Sequence, residues 1–97
     1  MKFEDLINRL RQQNKTLDEK VANTVVADRI EERLKEGTNS DRNYYFLMGV
    51  ALGMRTNVTI SNAEQGELWD DLMDRSYPGW RERIQNADGE RNNRKTV

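Results

Sequence analysis

The sequence predicts an all-α fold, a four-helix compact domain with a central hydrophobic helix and a short C-terminal helical turn. Apolar residues recur at helical spacing, capping patterns separate the periodic segments, and the uncharged run Tyr44–Met54 stands in a chain that is 34% charged. Ninety-seven residues suffice for one core. We therefore assign residues 1–86 to a single domain and 87–97, which are almost entirely polar, to a flexible tail.

The first two helices follow from spacing and caps. Four apolar residues at i, i+3, i+4 and i+7 predict a helix that ends near Gln13. Thr16 and Glu19 form a capping box that begins a second helix, which runs to about Glu36 and stops at Gly37. The apolar positions are Phe3, Leu6, Ile7 and Leu10 on the first helix, and Leu17, Val21, Ala22, Val25, Val26, Ile30 and Leu34 as one stripe on the second.

The uncharged run predicts a third helix over about Asp41–Arg55. Because its apolar residues surround the axis, we expect it to be buried on most sides. Gly49 and Gly53 are spaced for the close approach of another helix, either within one chain or between two copies. The candidate residues for self-association in a homodimer are Tyr45, Met48, Gly49 and Gly53.

The second half continues with an extended connection at 57–60, whose β-branched residues could pair locally as a strand. Ser61 and Glu64 form another capping box, and the helix that it begins runs to about Arg75. The break at Tyr77-Pro-Gly precedes Trp80 and Ile84, whose i,i+4 spacing predicts the last helical turns. The apolar side of the fourth helix is formed by Leu68, Trp69, Leu72 and Met73.

The residue inventory argues against catalysis. The chain has no cysteine and no histidine, which removes thiolate and imidazole chemistry and the commonest zinc ligands. Without a histidine, nothing is present to activate its few serines, and no glycine-rich phosphate loop occurs. We expect a protein that is not an enzyme, with no cofactor and no metal. No apolar segment approaches the length that spans a bilayer and no signal peptide is recognisable, so the expected location is the cytoplasm, without membrane contact.

The fourth helix carries acidic residues opposite its apolar side. Asp70, Asp71 and Asp74 lie toward its C-terminal end, where the helix dipole disfavours them. The favoured explanation is that these acids form a solvated outer face. The functional interpretation is that they bind a basic surface of a partner protein. Binding of a divalent cation is the least favoured of the three. The aromatic Trp80 follows the Pro-Gly break and is a candidate anchor. The predicted partner-binding residues are Glu67, Asp70, Asp71, Asp74 and Trp80.

Nucleic-acid binding is the alternative. The net charge of -1 gives no general attraction for phosphates. Basic residues nevertheless concentrate on the second helix and in the tail, and a homodimer would double them. These residues are Arg29, Arg33 and Lys35 on the helix and Arg91, Arg94 and Lys95 in the tail.

We therefore predict a non-enzymatic protein-binding module that acts as an adaptor, inhibitor or regulator. In its size and its helical, cofactor-free character the chain resembles the small accessory proteins that phages encode to modify host machinery. This resemblance implies action on another protein, and it involves no specific motif.

Overall fold

The structure is a computed structural model that describes residues 1–54 and 56–86. Five helices occupy this part of the chain, and no strand occurs in it, which confirms the all-α prediction. They are α1 (Phe3–Gln12), α2 (Leu17–Glu36), α3 (Asp41–Ala51), α4 (Asn62–Ser76) and α5 (80–86). The predicted flexible tail, 87–97, lies outside the described residues, as does Arg55.

The predicted capping boxes are both formed. The Thr16 hydroxyl accepts a hydrogen bond from the Glu19 N–H at 3.1 Å, and the Glu19 carboxylate accepts one from the Thr16 N–H at 3.2 Å. Ser61 and Glu64 repeat this arrangement at the start of α4, with both bonds at 3.1 Å. Side-chain acceptors thus satisfy amide groups that the first turn of a helix leaves unpaired.

All four long helices contribute to the core: α1 packs against α2, α2 against α3, and α3 against α4. α1 also reaches α4 directly, since the Phe3 N–H donates to the Asp71 carboxylate at 3.0 Å. Residues 57–60 form the expected connection, without local strand pairing, and their β-branched side chains Val58 and Ile60 pack into the core. The fully buried large side chains are Phe3, Leu6, Leu10, Ile30, Leu47, Val50, Leu68, Leu72 and Asn23.

The apolar stripe predicted for α2 is wrong over its first half. Leu17 is 76% exposed, Val21 57% and Val25 46%. The buried residues of α2 are Asn23, Ala27 and Ile30, of which Ile30 was predicted and the other two were not. The remaining predicted positions divide, since Ala22 is exposed while Val26 and Leu34 pack partly against the core.

Asn23 explains this change of face. Its Nδ2 donates to Asn14 Oδ1 at 2.7 Å, and its Oδ1 accepts from the Asn57 N–H at 3.4 Å. One amide side chain therefore joins α2 to the loop before it and to the connection before α4, and its hydrogen bonds compensate for its burial. The small neighbour Ala27, which is fully buried, suits close packing against α1.

The third helix ends at Ala51, earlier than predicted. Gly53 has φ +80° and follows the helix, the Gly53 N–H donates to the Val50 carbonyl at 3.0 Å, and the Met54 N–H donates to the Gly49 carbonyl at 3.1 Å. These two bonds form a Schellman motif, which requires a left-handed residue and so favours glycine. Gly53 therefore terminates α3 and lies in the turn that follows it.

The predicted close crossing at Gly49 is also wrong within the chain, because a Cβ added there would meet nothing within 4 Å. The expectation that α3 is buried on most sides is largely confirmed, because Asn43, Leu47, Val50 and Ala51 are buried and Tyr44, Phe46 and Met48 pack partly against the core. α2 and α4 cover the side that carries Asn43, Leu47 and Val50, whereas Tyr45, on the opposite side, is 61% exposed.

Candidate functional site

The uncovered side of α3 forms one wall of a surface groove, and α2 forms the other. We call it the α2–α3 groove; its volume is about 490 Å³. It combines guanidinium groups with aromatic, thioether and aliphatic side chains. The lining residues are Arg29, Arg33, Arg42, Tyr45, Phe46, Met48, Gly49, Leu52 and Met54.

Helical spacing brings these residues together. Arg29 and Arg33 are separated by one turn of α2 and so lie on the same face. Along α3, Tyr45 and Gly49 are also one turn apart, and Leu52 follows at the helix end. The absence of a side chain at Gly49 leaves the middle of the groove open, and the Schellman turn places Met54 beyond it, 58% exposed.

The groove is predominantly cationic. Arg33 is its inner charge: its guanidinium carbon lies 5.8 Å from the centre of the Phe46 ring, and its Nη1 lies 3.5 Å from Glu36. The buried Arg33 Nε has no hydrogen-bond partner. Arg29 and Arg42 are exposed, and the ion pairs found among the described residues involve neither of them. Among residues 1–54 and 56–86, no carboxylate lines the groove.

A second concave surface meets the groove at Leu52, which lines both. We call it the acidic α4 surface. Glu67 and Asp70 are its charged residues and Trp69 its largest side chain, and no basic residue lines it within the part of the chain that the structure describes. The other lining residues are Asn62, Ala63, Gln65 and Gly66. Opposite charges thus lie on the two sides of Leu52, which is 53% exposed.

The acidic residues predicted to bind a partner all have contacts within the chain. Glu67 pairs with the amino group of Met1, and Asp70 lies 3.6 Å from Arg81. Asp71 pairs with Arg75 at 3.0 Å and is nearly buried, with 10% of its side chain exposed. The side chains of Glu67 and Asp70 are 54% and 48% exposed, so both keep much of their surface open to solvent.

Asp74 and Trp80 join α5 to α4. The indole Nε1 of Trp80 donates to Asp74 at 2.8 Å, and Arg81 Nη1 donates to the same oxygen at 2.9 Å. The Arg81 guanidinium also lies 4.8 Å from the Trp80 ring centre. Trp80 is therefore half-buried and oriented by these contacts, whereas residues 81–86 are all exposed.

Of the residues predicted for self-association, the structure gathers Tyr45, Met48 and Gly49 in the α2–α3 groove. Gly53 lies just outside it in the helix-ending turn. Sequence reasoning missed Arg42, Leu52 and Met54 as lining residues because it assigned all three to a helix that would be covered by neighbours. The glycine at 53 was the available signal: as a C-terminal stop it shortens α3 and exposes the two residues that flank it.

Asn43 was missed as well, since an asparagine within a helix is typical of a solvated position. It is nearly buried, and its Nδ2 donates to the Gly37 carbonyl at 2.8 Å and to Glu36 at 3.1 Å. These bonds fix the end of α2 against the start of α3. They thereby set the position of the two walls of the groove.

Two further properties bear on function. Within residues 1–54 and 56–86, no group of three or more carboxylate side chains is arranged to hold a metal ion. None of the described helices is long and apolar enough to cross a bilayer. Comparisons with protein-family models, with curated proteins and with solved structures give no match to this chain.

Proposed function

We propose that this chain is a non-enzymatic protein-binding module that acts as an adaptor, inhibitor or regulator. The observation that supports it is the pair of surfaces that meet at Leu52, the cationic α2–α3 groove and the acidic α4 surface. The acidic surface retains Glu67 and Asp70 of the residues predicted from sequence, and the groove adds a region of opposite charge.

The composition of the groove favours a protein partner. Tyr and Arg dominate the energetically important positions of protein interfaces, and Met is enriched there. Tyr45 and Met54 offer exposed apolar surface beside Arg29 and Arg42, so a partner can bury hydrophobic side chains while its carboxylates pair with guanidinium groups. Met side chains also adapt their shape to the surface that they contact.

The test compares groove variants with a matched control. The double variant Arg29→Glu/Arg42→Glu reverses the groove charge, and Tyr45→Ala removes its most exposed aromatic ring. Arg83→Glu, on the exposed α5, makes the same kind of charge change away from both surfaces. Each variant is first checked for wild-type helicity and unfolding midpoint.

A partner recovered from the native host by affinity capture is purified and titrated calorimetrically with each variant. We expect the groove variants to weaken the affinity about tenfold or more, as loss of an interface hot spot does, and Arg83→Glu to leave it unchanged. Equal affinity for all variants would refute the assignment of binding to this surface.

Nucleic-acid binding remains the second candidate, because Arg29, Arg33 and Arg42 converge beside the exposed ring of Tyr45. Cationic grooves with aromatic platforms bind single strands through phosphate pairing and base stacking. The neighbouring acidic α4 surface would repel phosphates, which is why we place this function second. The predicted basic residues of the tail lie outside the described residues.

Fluorescence anisotropy with labelled single-stranded and duplex oligonucleotides tests this candidate. Binding at low salt that weakens steeply as salt rises, and that is lost in Arg29→Glu/Arg42→Glu, would support it. An unchanged anisotropy at the lowest salt concentration would exclude it.

A further inference from the structure

We propose that the α2–α3 groove is occupied by the acidic α4 surface of a second copy of this chain, so that two copies form a two-fold symmetric dimer centred on Leu52. This inference rests on the proposed function, since it names a partner for the same surface. The partner copy would complete the groove by supplying carboxylates, which are absent from the lining residues that the structure describes.

Charge complementarity carries the first step. The groove presents Arg29, Arg33 and Arg42, and none of its described lining residues carries a carboxylate; the acidic α4 surface presents Glu67 and Asp70, and none of its described lining residues is basic. The intramolecular partners of these two acids leave about half of each side chain exposed. Exposed ion pairs of this kind contribute little to folding, so exchanging or sharing them at an interface costs little.

Symmetry carries the second step. In a two-fold dimer, one surface patch meets the same patch of the other copy, so each region on one side of the axis contacts the region on the opposite side. Leu52 lines both surfaces and therefore marks the boundary between positive and negative charge. An axis through this boundary places the groove of each copy on the acidic surface of the other, and both contacts form at once.

Apolar surface carries the third step. Around the boundary, Tyr45 is 61% exposed, Leu52 53% and Met54 58%, while Trp69 on the acidic side is half-buried. Exposed large apolar side chains that surround one point and are bordered by charge are typical of an interaction site. In the dimer, the two Leu52 side chains meet at the axis, and Trp69 of each copy faces the exposed apolar residues of the other.

The oligomeric state and its response to charge test the proposal. Sedimentation velocity and light scattering are measured at micromolar concentration on the full chain, on Arg42→Glu, on Asp70→Arg and on the variant that carries both changes. We expect two copies for the wild type, a dimer dissociation constant raised about tenfold or more by either single reversal, and recovery in the combined variant, because the reversed charges again face each other. Arg83→Glu and Glu82→Arg, both on α5, are the matched controls.

A cysteine scan locates the axis independently. The chain has no cysteine, so Leu52→Cys and Leu17→Cys each introduce one exposed thiol. With a short thiol-specific bifunctional reagent, we expect covalent dimers from Leu52→Cys and mainly monomers from Leu17→Cys, which lies at the far end of α2 from the groove.

A wild-type chain that is monomeric at every concentration overturns the dimer. The proposal is also overturned if neither charge reversal changes the dimer dissociation constant and Leu52→Cys cross-links no better than Leu17→Cys, because the interface then lies elsewhere. A different outcome is a monomeric wild type whose groove variants no longer bind a different protein or an oligonucleotide. In that case the proposed dimer fails and the groove keeps its role in binding.

Discussion

Glu64 serves both as a residue of the α4 capping box and as the ion-pair partner of Arg9 on α1. Arg9 Nη1 donates to one carboxylate oxygen at 3.0 Å, and the Ser61 N–H donates to the same carboxylate. The hydrogen bonds from Arg9, followed by the one from the Ser61 backbone, lower the pKa of Glu64 to about 2. In its charged form, this side chain therefore links α1 to the start of α4.

A carboxylate whose pKa is lowered by folding stabilises the folded state above its ordinary pKa, and this contribution is lost as the pH falls through the folded value. For Glu64 the window runs from its ordinary value of 4.5 down to about 2. We expect Glu64→Gln, which keeps the capping box, to lower the melting temperature at neutral pH. The difference from the wild type should shrink across that window.

Thermal unfolding followed by circular dichroism at a series of pH values measures this difference. Glu32→Gln, an exposed change on α2, is the control and should follow the wild-type curve. A constant offset between Glu64→Gln and the wild type from neutral pH to pH about 2 would contradict the assignment, because ionisation would then be irrelevant.

At the scale of single elements, α3 is defined by how it ends. The two hydrogen bonds of the Schellman motif require a residue with positive φ at position 53. Gly49, inside the helix, has an ordinary helical backbone and open space around it. The two glycines, which share one spacing pattern in the sequence, therefore have different structural roles.

Alanine substitution should separate these roles. Gly53→Ala forces an L-residue into the left-handed region and should lower the free energy of unfolding by about 1–2 kcal/mol. Gly49→Ala fills open space within a helix and should raise it by about 0.5–1 kcal/mol. Urea denaturation of both variants measures the two values; a loss of stability in Gly49→Ala would show that another helix does approach there.

The sequence predicts elements well where local chemistry decides them. Both capping boxes and the stop at Gly37 were visible in short patterns, because caps depend on neighbouring residues. The buried face of α2 could not be predicted in this way. Polar Asn23 is buried and apolar Leu17 is exposed, and this reversal of the usual preference depends on tertiary contacts that the local sequence does not show. The groove was predictable in part: Tyr45, Met48 and Gly49 were identified, whereas Arg42 and Leu52 required the true end of α3.

At the scale of the whole molecule, α1 to α4 form the packed domain and α5 is an appendage. Its described residues after Trp80 are exposed, and ion pairs from Arg81 to Asp70 and Asp74 join it to α4. The stability of the domain and the position of α5 should therefore be separable.

We expect Asp74→Ala to release α5 while the unfolding midpoint of the domain stays close to that of the wild type, since exposed ion pairs contribute little to stability. Backbone ¹⁵N relaxation should show faster motion for residues 80–86 in this variant. Glu82→Ala, which changes an exposed acid within α5 itself, is the control and should leave relaxation unchanged. Unaltered relaxation in Asp74→Ala would mean that other contacts hold the helix.

The Schellman turn both ends α3 and places two of its residues in the lining of the α2–α3 groove. Leu52 precedes Gly53, and the Gly53 and Met54 amide protons are committed to carbonyl groups of the last turn of α3. Anything that covers Leu52 and Met54 must restrain the fraying of this turn, since both residues belong to it. We therefore expect these two amide protons to exchange with solvent more slowly when the groove is filled, whatever molecule fills it.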